Sequence, residues 1–223
     1  QLQQALTEEL SKRGIKKNVI TVVTQVEVSS SDKGFKNPTK PIGSFMDEKT
    51  AKERALTLGW NVVEDSGRGW RRVVASPWPQ SIIEKDTIKD LVDSGVVVIA
   101  CGGGGIPVVK GPEGLSGIEA VIDKDRASAV LALEVKASKL LVSTAVPKVC
   151  LNYGKPNQVQ LDKLTLDEAK KYSEEGHFAK GSMGPKIEAS IHFLENGGQQ
   201  AVITDPAHIT LALKGDAGTI VSR

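Results

Sequence analysis

Four consecutive glycines, Gly102 to Gly105, follow the apolar run VVVIA at residues 96–100. Glycines permit positive φ and leave backbone N–H groups unshielded, so a run of them at a strand end can wrap a phosphate or another small anion. The alternative is that these glycines only allow close packing between neighbouring elements. We favour an anion site, because four glycines in a row exceed what packing requires. Neither a Walker A lysine nor a GxGxxG spacing follows, which argues against a P-loop NTPase or a nicotinamide enzyme.

A second candidate is the tripeptide Asp123-Lys124-Asp125, which directly precedes a predicted helix. Aspartate caps helices and suits the positive end of the helix dipole, so capping is the simpler interpretation of the tripeptide alone. A lysine between two carboxylates could also meet a phosphate while the carboxylates hold the lysine or a Mg²⁺ ion.

Two further lysines occur in positions that favour contact with an anion. Lys186 follows Pro185 in the first turn of a predicted helix, where a cation is repelled by the positive end of the helix dipole. Its position makes sense if the lysine and the helix N-terminus bind the same anion. A solvated lysine that binds nothing is an equally good interpretation. Lys40 lies in the loop NPTKPIG (37–43), whose prolines stiffen the backbone. That loop could hold Lys40 over a site or could be an ordinary turn, and the turn is the simpler interpretation.

Together these lysines and the glycine run indicate phosphoryl transfer, which requires positioning and charge stabilisation rather than a protein nucleophile. The histidines His177, His192 and His208 lack the spacing of metal ligands, so we interpret them as structural. The sequence contains no credible Ser/His/Asp or Cys/His arrangement.

Composition excludes several classes of protein. The chain has 223 residues, a formal charge of +2 and only 4% aromatic residues, which argues against binding to nucleic acid or to an anionic membrane. No apolar run approaches the ~18 residues of a membrane span, and no signal peptide is recognised. Cys101 and Cys150 lie in apolar, strand-like surroundings, which predicts buried, reduced thiols.

Hydrophobic patterning predicts strands that alternate with helices, and therefore a mostly parallel sheet with helices on both faces. The expected helices span residues 3–14, 47–58, 81–94, 125–136, 166–174, 185–195 and 206–214. The expected strands span residues 19–28, 96–100, 139–146, 201–204 and 219–222, with a loop or hairpin at 106–122.

Residues 29–79 differ from the rest of the chain in composition and in the density of turn signals. They contain all three tryptophans and the turn signals KNPTKPIG, DSGRG and SPWP, which predict a small protruding, lid-like subdomain with a hairpin that turns at 66–69. The remaining residues, 1–28 and 80–223, are then expected to form an α/β core.

Six segments carry a resemblance to a known family: NPTKPIG, EDSGRGWRRVV, CGGGGIPVV, GIEAVIDKD, NYGKP and EGHFAKGSMGPKIEA. In this order they closely resemble the carbamate kinases of the amino-acid kinase family, from about Leu10 to Val221. The resemblance implies a three-layer α/β/α sandwich, a cytoplasmic homodimer, and interconversion of ATP and carbamate with ADP and carbamoyl phosphate. It implies Mg²⁺ carried by the nucleotide rather than by protein ligands, and ATP formation in arginine fermentation through the arginine deiminase pathway.

The resemblance also assigns roles to individual residues. The implied catalytic residues are Lys40, Lys124, Asp125 and Lys186. The implied substrate-binding residues are Gly102, Gly103, Gly104, Gly105 and Asp123. The implied nucleotide-binding residues are Thr144, Val146, Tyr153, Met183 and Gly184.

Two features depart from the family pattern. Ala145 and Pro147 stand where the family often has other residues, which affects the details of nucleotide contact. The family's N-terminal glycine-rich segments, of the GGNA and GNGPQVG types, are absent, so we expect the chain to lack the N-terminal third of the family. The alternatives are therefore an inactive nucleotide-binding or scaffold module of the same fold, and a kinase for another small carboxylate.

Overall fold

The computed structural model describes residues 1–65, 67–179 and 181–223. The α-helices are α1 (Leu2–Lys12), α2 (Lys33–Lys36), α3 (Glu48–Leu58), α4 (Lys85–Asp93), α5 (Lys124–Glu134), α6 (Leu166–Glu174), α7 (Met183–Glu195) and α8 (Ile209–Lys214). The strands are β1 (Val19–Thr21), β2 (Gln25–Val28), β3 (Lys40–Met46), β4 (Asn61–Glu64), β5 (Trp70–Val74), β6 (Pro79–Ile82), β7 (Val97–Ile99), β8 (Ile106–Gly111), β9 (Gly114–Gly117), β10 (Lys139–Ser143), β11 (Val149–Leu151), β12 (Val159–Leu161), β13 (Lys163–Thr165), β14 (Gln200–Thr204) and β15 (Thr219–Ser222). Among the described residues, no helix is both long and apolar enough to cross a lipid bilayer.

The core consists of two larger sheets and the helices packed on them. In the order β10–β14–β15–β13, strand β14 runs parallel to β10 and β13 runs parallel to β15. In the order β6–β2–β8–β9, strand β2 runs parallel to β8 and antiparallel to β6. Helix α5 contacts a strand of each sheet and packs along α7. The predicted α/β class is confirmed.

Apolar side chains on the inner faces of these elements close the core. A large apolar side chain stabilises the fold by about 1.5–3 kcal/mol when it is fully buried. The side chains buried around α7 include Leu164, Ile187, Phe193, Leu194 and Val221. Those buried under β2 and α4 include Val26, Ile82, Ile88 and Ile122.

The single strand predicted at 19–28 is wrong, because the chain changes partner in the middle of it. Strand β1 pairs with β7, whereas β2 pairs with β6 and β8. At the change, the Thr24 hydroxyl donates to the Val22 carbonyl at 3.0 Å and accepts the N–H of Cys101 at 2.9 Å. The sequence remains apolar across this break, so hydrophobicity alone did not reveal it.

The helix predicted at 81–94 is wrong at its start, since residues 79–82 form β6. Their backbone pairs with β2, and the Glu84 carboxylate accepts the N–H of Gln25 at 2.8 Å, so α4 begins only at Lys85. The hairpin of β11 and β12 was not predicted. The predicted hairpin alternative for 106–122 is confirmed by the antiparallel pair β8 and β9.

Strands β3, β5 and β4 form a separate antiparallel sheet, with α3 packed against β4 and β5. Helix α3 is capped by the Asp47 carboxylate and ends at Gly59, whose φ of 66° is left-handed. Strands β4 and β5 pair as a hairpin, although Ser66, the first residue of its predicted turn, lies outside the described residues. This sheet presents Lys40, the first residue of β3, toward the core.

Candidate active site at the starts of α5 and α7

Asp123 caps α5 and simultaneously pairs with Lys40. Its Oδ1 accepts the N–H groups of Asp125 at 2.9 Å and of Arg126 at 3.3 Å. Its Oδ2 forms an ion pair with the Lys40 ammonium group. The capping interpretation of Asp123 is therefore confirmed, but the lysine that its other oxygen holds is Lys40 and not the neighbouring Lys124.

The charge state of Asp123 follows from these contacts. Burial by itself raises the pKa of the carboxyl, which is only 4% exposed. The Lys40 ammonium and the two amide donors outweigh burial, so the pKa of Asp123 lies below its ordinary value. The carboxylate is therefore ionised across the neutral range and keeps Lys40 in place.

Asp125 makes a second ion pair, with Lys186 of α7. The Lys186 Nζ lies 2.9 Å from Asp125 Oδ2, and each residue is only 7% exposed. The Nζ of Lys124 lies 3.5 Å from the same oxygen, but 63% of its side chain is exposed. Lys186 is thus fixed inside the protein, whereas Lys124 faces solvent beside it.

The sheet of β3, β5 and β4 reaches this cluster through the register of its strands. Lys40 pairs with Val74 across β3 and β5, at the end of the sheet nearest the core. The next residue, Ala75, accepts the N–H of Val121 at 2.9 Å, just before the start of α5. These contacts place Lys40 at the start of α5 although it is 83 residues away from Asp123 along the chain.

The glycine run divides into two functional halves. Gly104 has φ 120°, and a Cβ there would clash with the Ile122 carbonyl oxygen; Gly105 has φ 89° and packs against Val26. The packing interpretation therefore holds for Gly104 and Gly105, whose N–H groups also donate inside the turn. Gly102 and Gly103 are exposed, with open space where a Cβ would lie. Gly102 and Gly103 are therefore the exposed half of the run.

A cavity of about 490 Å³ lies next to the lysine cluster. Of the predicted nucleotide residues, Thr144, Val146, Tyr153 and Met183 line it. Gly184 is buried and does not line the cavity, and its N–H donates to the carbonyl of Ala179, a lining residue, at 2.9 Å. The sequence prediction missed the remaining wall, which comes from the β11–β12 hairpin and the segment before α7: Lys148, Cys150, Asn152, Lys155, Glu175, Gly176, His177, Phe178, Ala179 and Ser182.

No local signal marks these missed residues as neighbours, because they come from separate segments. His177, which the sequence indicated to be structural, lines the cavity with its Nε2 at 3.3 Å from Glu175 Oε2. Only the hairpin and the tertiary packing bring the two segments to one wall.

Both cysteines are free and buried, as predicted. Burial raises the pKa of Cys101 to about 11 and also raises the pKa of Cys150 on the cavity wall. The two thiols are therefore neutral near pH 7, and neither has the lowered pKa of a nucleophilic cysteine.

The cavity and the lysine cluster share the start of α7. Met183, the first residue of the helix, lines the cavity, and Lys186 in the same turn meets Asp125. The Gly184 N–H is already used and Pro185 has none, so the Lys186 ammonium group and the positive end of the helix dipole are what would attract a phosphate here. The arrangement therefore fits a ligand that places one part in the cavity and an anionic group at the lysines.

Both carboxylates of the cluster are engaged by lysines. Oδ2 of Asp123 faces Lys40, and Oδ2 of Asp125 faces Lys186 and Lys124. Among the described residues, no group of three or more His, Cys, Asp or Glu side chains is arranged to hold a metal ion. The carboxylate oxygens that the structure describes here therefore position lysines.

Comparison with known proteins extends these observations over nearly the whole chain. The profile of the amino acid kinase family matches residues 5–205. A carbamate kinase from Thermococcus kodakarensis is 53% identical over 220 residues, which cover 99% of this chain and 70% of that protein. The carbamate kinase-like protein YqeA of Escherichia coli is also 53% identical, over 221 residues that cover 99% of this chain and 71% of that protein.

A solved structure gives the same result for the fold. The carbamate kinase from Giardia lamblia bound to AMP-PNP superimposes with a TM-score of 0.87 at 41% identity. The match covers 99% of this chain and 70% of that chain.

Proposed function

The chain belongs to the amino acid kinase family, and we propose that it is a phosphotransferase that interconverts ATP and carbamate with ADP and carbamoyl phosphate. The relatives at 53% identity and the carbamate kinase structure bound to AMP-PNP support both the reaction and the use of ATP and ADP. The structural observation that supports the proposal best is the presence of two ion pairs, Lys40–Asp123 and Lys186–Asp125, beside the cavity.

We propose that the lysines supply the charge stabilisation that phosphoryl transfer needs. The transferring group spreads negative charge over its equatorial oxygens, and cations held in position before the reaction stabilise that charge most effectively. Asp123 and Asp125 hold Lys40 and Lys186 in place before substrate arrives. Lys124, exposed beside them, can turn toward the phosphate without leaving a buried carboxylate unpaired.

The reaction requires no general base in either direction. Carbamate attacks ATP through an oxygen that is already anionic, and ADP attacks carbamoyl phosphate through a phosphate oxygen that is also anionic. The residues around the lysine cluster are accordingly carboxylates that position cations, not proton acceptors aimed at a nucleophile. Gly102 and Gly103, the exposed half of the glycine run, are proposed to face the carbamate side.

We propose that the cavity holds the nucleoside, with Thr144, Val146, Tyr153 and Met183 in its wall. Mg²⁺ would enter as part of the nucleotide substrate, since the carboxylates of the cluster are occupied by lysines. Ala145 also lines the cavity, so the departure from the family pattern alters the wall without closing it.

The resemblance to carbamate kinases further supports a homodimer, a cytoplasmic location and ATP formation in arginine fermentation as proposals. Carbamoyl phosphate is a mixed anhydride, which favours transfer of its phosphoryl group to ADP. Analytical ultracentrifugation tests the dimer, and initial rates measured from both sides of the equilibrium test the direction.

The deciding experiment measures ATP formed from carbamoyl phosphate and MgADP by the purified protein. We expect ATP formation to depend on both substrates. We also expect it to be slower when acetyl phosphate replaces carbamoyl phosphate as the phosphoryl donor. Binding of MgADP without any turnover would instead identify an inactive nucleotide-binding module. Faster turnover with acetyl phosphate would identify a kinase for another carboxylate.

A further inference from the structure

Two segments join the lid-like sheet to the core, and Asp32 ties them together. Its Oδ1 accepts the N–H of Gly34 at 2.7 Å, and its Oδ2 accepts the N–H of Trp78 at 3.1 Å. A Cβ on Gly34 would lie 3.2 Å from the backbone N of Pro77, so the two backbones nearly touch. The outgoing and returning segments therefore meet the core as one unit, which we call the junction (residues 29–39 and 75–78).

The Trp78 side chain attaches this junction to both helices of the site. The guanidinium carbon of Arg126, on α5, lies 4.7 Å from the centre of the Trp78 ring. The ring of His192, on α7, meets Trp78 edge-on with 5.2 Å between centroids. A guanidinium stacked on indole is a favourable contact that lysine reproduces poorly.

Arg126 also connects α5 directly to α7. Its Nε and Nη2 donate to Glu188 Oε2 at 3.2 and 2.7 Å. Arg126 follows Asp125 in sequence, and Glu188 lies two residues after Lys186, so this bridge runs beside the Asp125–Lys186 bridge with opposite polarity. Arg126 therefore contacts the junction through Trp78 and α7 through Glu188.

We propose that Trp78 and Arg126 are positioning residues, which seat the junction on α5 and α7 and thereby set the position of Lys40 relative to Asp123 and Lys186. Neither side chain lines the cavity, and Arg126 is engaged by Glu188 and Trp78. Their effect on the reaction is therefore indirect. The kinetic test of these roles rests on the proposed phosphotransfer, whereas the hydrogen-exchange test does not.

The kinetic test uses Arg126→Gln, which removes the stacked cation and the bridge, and Arg126→Lys, which keeps only the charge. We expect Arg126→Gln to lower kcat about tenfold or more while KM for MgADP changes less than about twofold, because small displacements of a positioned group slow the reaction strongly. We expect Arg126→Lys to recover only part of this loss, since lysine lacks the planar fork.

A double variant separates positioning from a general loss of stability. Because Arg126 acts through Lys40, adding Arg126→Gln to Lys40→Ala should slow the reaction by less than about twofold more. The matched control is Lys170→Gln, which breaks the 2.6 Å Lys170–Glu195 pair between α6 and the far end of α7. We expect the control to leave kcat unchanged; fully multiplicative losses, or an equal loss in the control, would overturn the proposal.

Hydrogen exchange tests the same inference without any activity. In Arg126→Gln and in Trp78→Leu, the amides of residues 40–46 and 70–75 should exchange faster, while those of α6 remain at the wild-type rate. Unchanged exchange in residues 40–46 would overturn the positioning role. If the wild-type protein forms no ATP, the proposed function fails, but the exchange result still decides whether these residues hold the junction.

Discussion

A buried ammonium group such as Lys186 requires a partner, because removing a charge from water is unfavourable unless an opposite charge replaces the solvent. Asp125 is that partner at 2.9 Å, and its position in the first turn of α5 also suits the helix dipole. The pair is therefore fixed in geometry before any substrate binds. An arriving phosphate can then share Lys186 without waiting for the side chain to become ordered.

For the individual lysines, we predict that Lys124→Ala and Lys186→Ala each lower kcat by about 100-fold or more, the usual loss for one charge-stabilising group. Lys186→Ala should also lower the free energy of unfolding by about 3–5 kcal/mol, because Asp125 then remains buried without its main partner. Lys124 is exposed, so its substitution should leave stability unchanged. Steady-state kinetics and urea unfolding measure both effects.

The control for these substitutions is Lys163→Ala, at an exposed position of β13 outside the site. It should change neither kcat nor stability by a measurable amount. Wild-type kcat in Lys124→Ala or in Lys186→Ala would remove that lysine from the proposed chemistry.

The ionisation of Asp123 leads to a prediction about pH. Because its pKa is lowered below 3.8 in the folded protein, the ion pair with Lys40 stabilises the fold above that value and is lost as pH falls through the folded pKa. We expect wild type to be more stable than Asp123→Asn at about pH 7 and at about pH 5, with the difference shrinking below about pH 4. Urea unfolding of both proteins across this range is the measurement. A difference that grows as the pH falls would contradict the lowered pKa.

At the scale of elements, the glycine turn after β7 matters because it brings the chain against the segment that leads into α5. The N–H of Cys101 donates to Thr24, and Gly104 packs on the Ile122 carbonyl, one residue before Asp123. The turn thus supports the position of the cap of α5. Gly104 and Gly105 pack inside the protein, whereas Gly102 and Gly103 are exposed.

We predict that Gly104→Ala lowers the free energy of unfolding by at least about 2 kcal/mol, because it combines a strained φ with a backbone clash. The matched substitution is Gly102→Ala, which meets open space. It should cost less than about 1 kcal/mol, and thermal or urea unfolding compares the two. Equal stability of the two variants would show that the close approach of Gly104 to Ile122 is not needed.

At the scale of the whole molecule, the proposed site draws on three regions of the chain. The separate antiparallel sheet supplies Lys40, the start of α5 supplies both aspartates, and α7 with the β11–β12 hairpin supplies Lys186 and much of the cavity wall. A ligand that bridges the cavity and the lysines would contact all three. Its binding should therefore stabilise the fold as a unit.

We predict that MgADP at about 100 times its Kd raises the free energy of unfolding by about 2.7 kcal/mol, which a thermal shift assay detects. Val146→Trp, which places an indole in the cavity, should abolish this shift. Leu213→Trp, at an exposed position of α8, should retain it. Loss of the shift in both variants, or in neither, would show that this cavity is not the nucleotide site.

Local patterns were sufficient to predict many elements. The capping box of Thr165 and Glu168 begins α6 where the sequence predicted it, β10 lies within its predicted range, and β14 begins one residue before its predicted range. These signals succeed because they depend on neighbours within one helical turn or one strand. The partner change at Val22–Thr24 and the strand β6 were missed because they depend on which distant strand is available for pairing.

Residue types and their local spacing were enough to predict the groups that could do chemistry: the glycine turn, the aspartates around Lys124, and lysines in stiff or helical settings. The packing of sheets and helices determines which of these groups pair: Lys40 with Asp123, 83 positions apart, and Lys186 with Asp125, 61 positions apart. It also brings Gly104 against Ile122 and Gly105 against Val26, while Gly102 and Gly103 stay exposed. The physical reason is that spacing along a chain governs contacts only within a turn or a hairpin, whereas these contacts depend on how separate sheets and helices pack.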